Sequence, residues 1–528
     1  NRVNEIFVGA EYFYEEIRKN LFKTYGKEKL YSEGYIIKTS LNTNLQSIAE
    51  KSLIYGLTKY DQRQGWRGVL ANIADEKINF QEIIKQIRNP FPNKWILAKV
   101  NKIKSNKLYL INEQMIEIEL DLNQELNKWV KNKKFRIGDI IFTEEINSLN
   151  IIKQVPKANG AIIAIDPHSG DILAMSGGFS FNLSQFNRST QAKRQPGSAF
   201  KPIVYLSALK EGYTPSTLIL DAPYVIDQGP GLPKWKPANY SDEFYGLTTM
   251  RTGIEKSRNL MTIRLANKIG IDKILSSAKD LSIDQYLEEN MSMSLGSGLV
   301  TLIDLTNAYG VIANGGKKIK PNIIKSIYSR NGDQILDNSN KVCKNCIIKK
   351  IGIKNSLPNI NNNLKTVVDP KIAYQITSMM EGVIKRGTAK NLKDLNIPLA
   401  GKTGTTNDNK DAWFVGFSPD LVIGIYVGFD SPKNLGYKQT GSSVAVPIFK
   451  NFIKKANVNS NKTPFRIPSG LSFVNIDEKS GLPSNKENSI MEAFIEGTEP
   501  YSKDDINILD SLGIINNSIS GTGGLLNN

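Results

Sequence analysis

Two stretches of strand-forming sequence, far apart in the chain, constrain its fold more than any other feature. The first, residues 160–176, reads GAIIAID, then PHSG, then DILAMS, two apolar runs joined by a tight turn. The second, residues 397–430, reads IPLAGKTGTT, DAWFVGF and LVIGIYVGFD, the last two joined by Ser418-Pro419-Asp420. Apolar runs bounded this closely by Gly, Pro and Asp predict hairpins. Between the two stretches, from about residue 198 to 381, the sequence reads as mostly helical. Strands at both ends of a helical region predict one antiparallel sheet, built from both ends and covered by helices. The fold class is α+β.

At 528 residues the chain is too long for one compact domain, and roughly three are expected at ~100–200 residues each. Residues 1–65 read as a helix–strand–helix linker region, with YIIKTS as the strand and Asn42-Thr43 capping the second helix. Residues 66–157 change texture: WILAKVNKIK, KLYLI, MIEIEL and FRIGDIIF alternate like strands, with Lys104-Ser105-Asn106 as a turn. They predict a small β-barrel of the oligonucleotide/oligosaccharide-binding kind. Residues 158–460 carry the sheet-and-helix domain. Residues 461–528 form a C-terminal extension whose low-complexity end, SISGTGGLLNN, is expected to be disordered.

The formal charge is +17, which suits nucleic acid, anionic lipid or an anionic polymer such as cell wall. Lys, Asn and Ile are abundant throughout, however, and the densest basic run, KNKKFR at 131–136, reads as a solvated loop. A nucleic-acid-binding barrel is the alternative of a different class. Against it, the barrel strands lack a stacking set of aromatics, and Trp95 and Tyr109 read as core. Cys343 and Cys346 form CKNC in an Asn/Lys/Ser-rich stretch, which favours a short loop-closing disulfide over a redox or zinc motif. No metal or cofactor is called for. No apolar run approaches the ~18–20 residues that span a bilayer.

The chain contains a single histidine, His168, placed in the PHSG turn, so any serine nucleophile needs another base. In RQPGSAFKP, Ser198 stands three residues before Lys201 at a predicted helix start. Positions i and i+3 share a helical face, so the amine of Lys201 can reach the hydroxyl of Ser198. A helix start also exposes free N–H groups suited to an oxyanion. Two other S-x-x-K matches, at Ser207 and Ser276, lie mid-helix without such a turn. SRN, at Ser257 and Asn259, adds a hydroxyl able to relay a proton and a carboxamide able to hold an amide. KTGTT sits on a predicted strand. There Gly404 lets a peptide lie alongside, Lys402 supplies charge, and Thr403, Thr405 and Thr406 offer hydroxyls to a carboxylate.

SAFK, SRN and KTG in this order resemble the penicillin-recognising serine acyltransferases. GAIIAIDPHSGDILAMSGG, FNRSTQAKRQPGSAFKP, WKPANY, AGKTGTTNDNKDAWFVGFSPDL and EAFIEGTEP narrow the resemblance to class A, or bifunctional, penicillin-binding proteins of the 1A type. It runs over nearly the whole chain. It implies a β-lactamase-like transpeptidase domain that cross-links peptidoglycan stem peptides and is acylated by β-lactams; a D,D-carboxypeptidase is the nearest alternative. It implies Ser198 as nucleophile, Lys201 as its base, Ser257 as proton relay and Asn259 as substrate-amide anchor. Lys402, Thr403 and Thr405 would position the carboxylate, Thr406 less centrally, and the N–H groups of Ser198 and Thr405 would form the oxyanion hole. This role requires Lys201 to be neutral when it acts. Class A relatives also carry a membrane anchor and a glycosyltransferase domain, whose acidic signature includes a nearby histidine. With only His168 present and an opening inside an amphipathic segment, the sequence is expected to lack both. The implied location is the periplasmic face of the bacterial inner membrane, with cell-wall synthesis regulators as further partners.

Overall fold

The computed structural model describes residues 9–73, 80–227, 231, 233–283, 285, 287–338, 341–344, 359–362 and 364–501. Cys346, the Cys343 side chain and the low-complexity tail lie outside the described residues. Helix α1 (Glu11–Ser32), a short strand (Ile36–Thr39) and helix α2 (Thr43–Gln64) follow the expected order. The Asn42 side chain caps α2, accepting the Leu45 N–H at 3.0 Å. No local signal foretells the partner of Ile36–Thr39: it pairs antiparallel with Ile324–Tyr328, which in turn pairs with Gln334–Asp337. The region read as mostly helical therefore contains strands, including the pair Leu218–Asp221 and Gly246–Thr249. LILD and GLTT do not alternate apolar with polar residues, which is why the sequence hides them.

Residues 71–153 form a six-stranded antiparallel sheet from β1 (Ala71–Asn72), β2 (Ile96–Lys104), β3 (Lys107–Asn112), β4 (Glu117–Asp121), β5 (Asp139–Ile146) and β6 (Leu149–Lys153). The ladder runs β1-β5-β2-β3-β4, and β6 also pairs with β5. The expected barrel does not close: β4 and β6 face each other without a backbone ladder, linked by Asn150 Nδ2 donating to the Glu119 carbonyl at 3.0 Å. Alternation gives the sheet two apolar faces. Ala98, Val100, Leu108, Leu110 and Ile141 make the sheet's own core, whereas Trp95, Leu97, Ile140 and Phe142 join the core of the main body.

The main sheet contains β7 (Asn159–Ile165), β8 (Ile172–Ser176), β9 (Ala400–Thr405), β10 (Asp411–Ser418) and β11 (Leu421–Gly428), in the order β9-β10-β11-β7-β8. It is antiparallel throughout and built from both ends of the intervening region, as expected. β10 and β11 are buried along their whole length, which explains why they read as continuous apolar runs. On one face, Trp413, Val415, Phe417 and Val422 pack under α3 (Lys201–Lys210), α4 (Met250–Glu255), α5 (Asn259–Ile269), α6 (Leu302–Ala313) and α7 (Pro370–Lys385). On the other, Phe414, Ile423, Ile425 and Val427 pack against α2 and α8 (Val446–Ala456). Each such side chain contributes about 1.5–3 kcal/mol. The C-terminal extension adds a hairpin, β12 (Leu471–Ile476) and β13 (Ile490–Ile495). Among the described residues no helix is long and apolar enough to cross a membrane.

The 71–153 sheet joins the body through an aromatic cluster. Trp95, 3% exposed, lies 5.4 Å from Phe91, 5.5 Å from Phe142 and 5.8 Å from Phe179, ring centre to ring centre. Trp95→Ala is expected to destabilise the protein by about 3–5 kcal/mol, read from denaturant melts. A loss below about 1 kcal/mol would mean that the sheet stands apart from the body.

Candidate active site

Gly197, at φ 53°, turns the chain sharply, and the 3₁₀ turn Gly197–Phe200 runs straight into α3. Lys201 is therefore the first residue of α3, one turn beyond Ser198. The turn is pressed onto strand β9. A Cβ on Gly197 would stand 2.4 Å from the Thr405 carbonyl oxygen, and one on Gly404 would stand 2.4 Å from the Pro196 carbonyl oxygen. Only glycines allow this approach. Among the described residues, the Gly197 N–H donates to the Gly296 carbonyl at 3.2 Å and the Ala199 N–H to the Pro196 carbonyl, while the Ser198 N–H is left without an acceptor.

Strand β9 is the free edge of the main sheet. Its Thr406 N–H donates to the Asp411 carbonyl at 3.2 Å, so by alternation the main-chain groups of residues 402 and 404 face β10. Those of Thr403 and Thr405 point outward, on the edge where Gly197 packs against the Thr405 carbonyl. Side chains alternate as well, which puts Lys402 on the face of Gly404, beside the Gly197–Phe200 turn. Thr403 and Thr405 lie on the opposite face. Thr403 Oγ1 is 2.7 Å from Thr388 Oγ1, and Thr405 Oγ1 accepts the Gly441 N–H at 3.0 Å. Thr406 is buried, and its hydroxyl accepts the Asp411 N–H at 2.9 Å, closing the β9–β10 turn.

The SRN segment links α4 to α5. Ser257 sits at φ 59°, a left-handed conformation that costs a serine about 1 kcal/mol or more. Its N–H donates to Ile254 O at 3.2 Å, and Lys201 Nζ donates to its carbonyl at 2.8 Å. Lys201 Nζ also donates to Asn259 Oδ1 at 2.7 Å and reaches Ser257 Oγ at 3.5 Å. Lys402 Nζ donates to Ser257 Oγ at 2.8 Å and to its neighbour's carbonyl, Thr403 O, at 3.1 Å. The i, i+3 reading expected Lys201 to point at Ser198. Here its hydrogen bonds go to the SRN segment instead, and the half-buried Ser198 hydroxyl makes none among the described residues. Helical spacing gives the direction of a lysine but not its acceptors.

Both lysines are fully buried. Burial, then the neighbouring Lys402, holds the Lys201 amine well below the ordinary lysine range; Arg258 adds to this and Asp221 opposes it. Burial pushes Lys402 down to about 7. The three motifs thus bring Ser198, Lys201, Ser257, Asn259 and Lys402 into one site. The other S-x-x-K serines stay apart. Ser207 donates to Ile203 O within α3, and Ser276 lies in the helix Ile271–Asp280. His168 is exposed in its turn, 3.3 Å from Asp420.

The penicillin binding protein transpeptidase domain family matches residues 160–454, which hold every one of these motif residues. The chain belongs to this family. It is similar to penicillin-binding protein 1A of Rickettsia bellii, 39% identical over 96% of this chain and 64% of that one, and to penicillin-binding protein 1A of Pseudomonas aeruginosa, 32% identical over 90% and 63%. The chain thus spans a little under two thirds of these relatives' length. The crystal structure of penicillin-binding protein 1A from Haemophilus influenzae shares the fold at a TM-score of 0.81 and 28% identity, covering 93% of this chain and 76% of that one.

Asn239 is tied to these motif residues, and no spacing rule marks it. Its Oδ1 accepts the Asn259 N–H at 2.8 Å and the Leu260 N–H at 3.3 Å, capping α5 from a separate loop. Its Nδ2 donates to the buried Asp221 at 2.8 Å. Asn259 Nδ2 meanwhile donates to Ala238 O at 2.8 Å. The sequence carries Asn239 inside WKPANY, and only the resemblance singles that stretch out.

A lysine depressed in the folded state makes stability rise with pH. Between about 7 and the ordinary ~10.4, the unfolded chain holds a Lys402 proton that the folded chain does not. Lys402→Met removes this handicap. Its melting temperature should exceed that of the wild type most clearly below pH 7, with the gap narrowing toward pH 10. A gap independent of pH would contradict the buried placement.

Proposed function

We propose that this chain is a serine D,D-transpeptidase that cross-links peptidoglycan stem peptides through an acyl-serine intermediate, and that penicillins trap it at that stage. The observation that carries the reading is the shared hydrogen bonding of two buried lysines to Ser257, beside a serine whose neighbouring strand edge is open. Ser198 Oγ attacks the penultimate D-alanine carbonyl and gives its proton to the neutral amine of Lys201. The oxyanion forms against the N–H groups of Ser198, which has no acceptor among the described residues, and of Thr405 on the open strand edge. Ser257 Oγ touches both lysines, so its hydroxyl passes the proton on to the departing D-alanine amine as the C–N bond breaks. An amine from a second strand then attacks the acyl-serine and restores the Ser198 hydroxyl.

In this reading the stem peptide lies along the outward edge of β9 as an added strand, while Gly404 makes room for the turn that carries Ser198 and not for the peptide. Asn259 still has a free donor and acceptor for the substrate amide, because a carboxamide offers more than the two bonds it makes here. The Thr405 hydroxyl, which accepts from Gly441, keeps its proton for the terminal carboxylate, and Lys402 supplies positive charge. Thr403 and Thr406 act by shaping β9. The similarity to penicillin-binding protein 1A relatives also supports an extracytoplasmic site of action at the bacterial inner membrane, as part of a longer bifunctional enzyme.

A fluorescent penicillin should label the wild type and not Ser198→Ala. The labelling rate should fall as acid protonates Lys201; a flat profile from pH 5 to 10 would overturn its role as base. With a D-alanyl-D-alanine peptide and an amine acceptor, transfer product is expected, whereas hydrolysis alone would make the protein a D,D-carboxypeptidase.

A further inference from the structure

Outside the catalytic centre the strongest construction is a buried cluster of charged groups joining α4, α7 and β13. Arg251 of α4 uses all five of its N–H donors. Nε and one Nη2 proton grip the Glu492 carboxylate in two places. The second Nη2 proton goes to Ser378 Oγ at 2.9 Å, and Nη1 donates to Ser378 O at 3.0 Å and to Glu255 Oε1 at 3.3 Å. Glu255 also receives Arg386, which donates to Oε2 at 3.1 Å and to Oε1 at 2.5 Å. Arg251, Glu255 and Glu492 are at most 2% exposed. Two positive and two negative groups cancel. Glycine makes the fit: a Cβ on Gly382 of α7 would stand 1.7 Å from Glu255 Oε1.

Glu492 belongs to the C-terminal hairpin, beyond the residues that the transpeptidase family match covers. The hairpin is docked further by Gln375 Nε2 on Ala493 O at 2.9 Å and by Thr249 Oγ1 on Glu478 O at 3.0 Å. Two routes lead from the cluster to the active site. Glu255 is the last residue of α4, two positions before Ser257 with its left-handed backbone. The Glu255 carbonyl also accepts the Thr388 N–H at 3.2 Å, and Thr388 Oγ1 meets Thr403 Oγ1 on the motif strand. One short helix, gripped by Glu492, therefore sets both SRN and the back of KTG.

Stability alone does not require such a cluster, since well-packed apolar residues of similar volume often stabilise as well or better. A guanidinium fork, however, holds its partners in a fixed direction, which apolar contacts of the same volume do less sharply. We propose that the C-terminal hairpin is a working part of the acylation site, with Glu492 and Arg251 as positioning residues for Ser257 and Thr403. The inference rests on the transpeptidase reading.

The test compares acylation rates by fluorescent penicillin with melting temperatures in the full chain. Wild-type labelling tests the transpeptidase reading itself, and the ratio of variant to wild type tests only the hairpin. Glu492→Gln should slow acylation between about tenfold and a hundredfold, the scale expected for a misplacement of about 1 Å. The double variant Arg251→Met/Glu492→Leu should recover the melting temperature but not the acylation rate. Its pH profile should shift, because Ser257 holds both lysines. Glu492→Asp, which keeps the charge but shortens the reach, should fold and still acylate slowly. Wild-type acylation by Glu492→Gln or Glu492→Asp would overturn the proposal. So would a double variant that regains rate and stability together.

Discussion

Lys201 and Lys402 are both fully buried, and both donate to the hydroxyl of Ser257. Taking an ammonium out of water costs several kcal/mol, and two of like charge beside each other cost more. The molecule meets this by letting the amines shed protons, which is why both are depressed. An amine that is neutral near physiological pH is what a serine nucleophile needs where no histidine is at hand. The arrangement is unstable by itself, so the surroundings must hold it firmly. Ser257 keeps a left-handed backbone, Asn259 is tied at both ends of its amide, and Asn239 caps α5 from outside.

That firmness comes from the architecture. β9 is an edge strand, which leaves the Thr403 and Thr405 main-chain groups unpaired by the sheet, but it rests against β10, buried along its length. The turn that carries Ser198 is pressed against it through Gly197 and Gly404. The SRN loop hangs between α4 and α5, and α4 is fixed by a charge cluster whose last member comes from the C-terminal hairpin. Three segments distant in sequence converge on one hydroxyl, and each has its own anchor. The sheet of residues 71–153 contributes no motif residue, yet Trp95 and Phe142 make it part of the body's core.

Much of this was legible in the chain. The strands of the main sheet and the helix start at Ser198 could be read from apolar runs and turn residues, because those signals are local. The six-stranded sheet could be read as strands but not as an open ladder: closure depends on how β4 and β6 approach, which no residue pattern encodes. Ile36–Thr39 was legible as a strand and illegible in its pairing with Ile324–Tyr328, since about half of the chain separates the partners. The hairpin β12–β13 passed as a plain extension, because a buried Glu492 looks like any surface glutamate until Arg251 is seen opposite.

By itself, the sequence determined which groups are candidates for the chemistry and on what kind of element each one sits. Ser198 and Lys201 share a face of a helix start, and KTGTT is a strand, because periods of 3.6 and 2.0 are written in neighbouring residues. Only the tertiary structure decided what Lys201 bonds to, that β9 is an edge, that Thr403 and Thr405 lie on the face away from Lys402, and that Glu492 reaches α4. Those outcomes depend on burial and on contacts between segments that are distant in the chain, from 56 residues for Lys201 and Ser257 to 241 for Arg251 and Glu492, and a lysine's protonation follows from that burial more than from its neighbours in the chain.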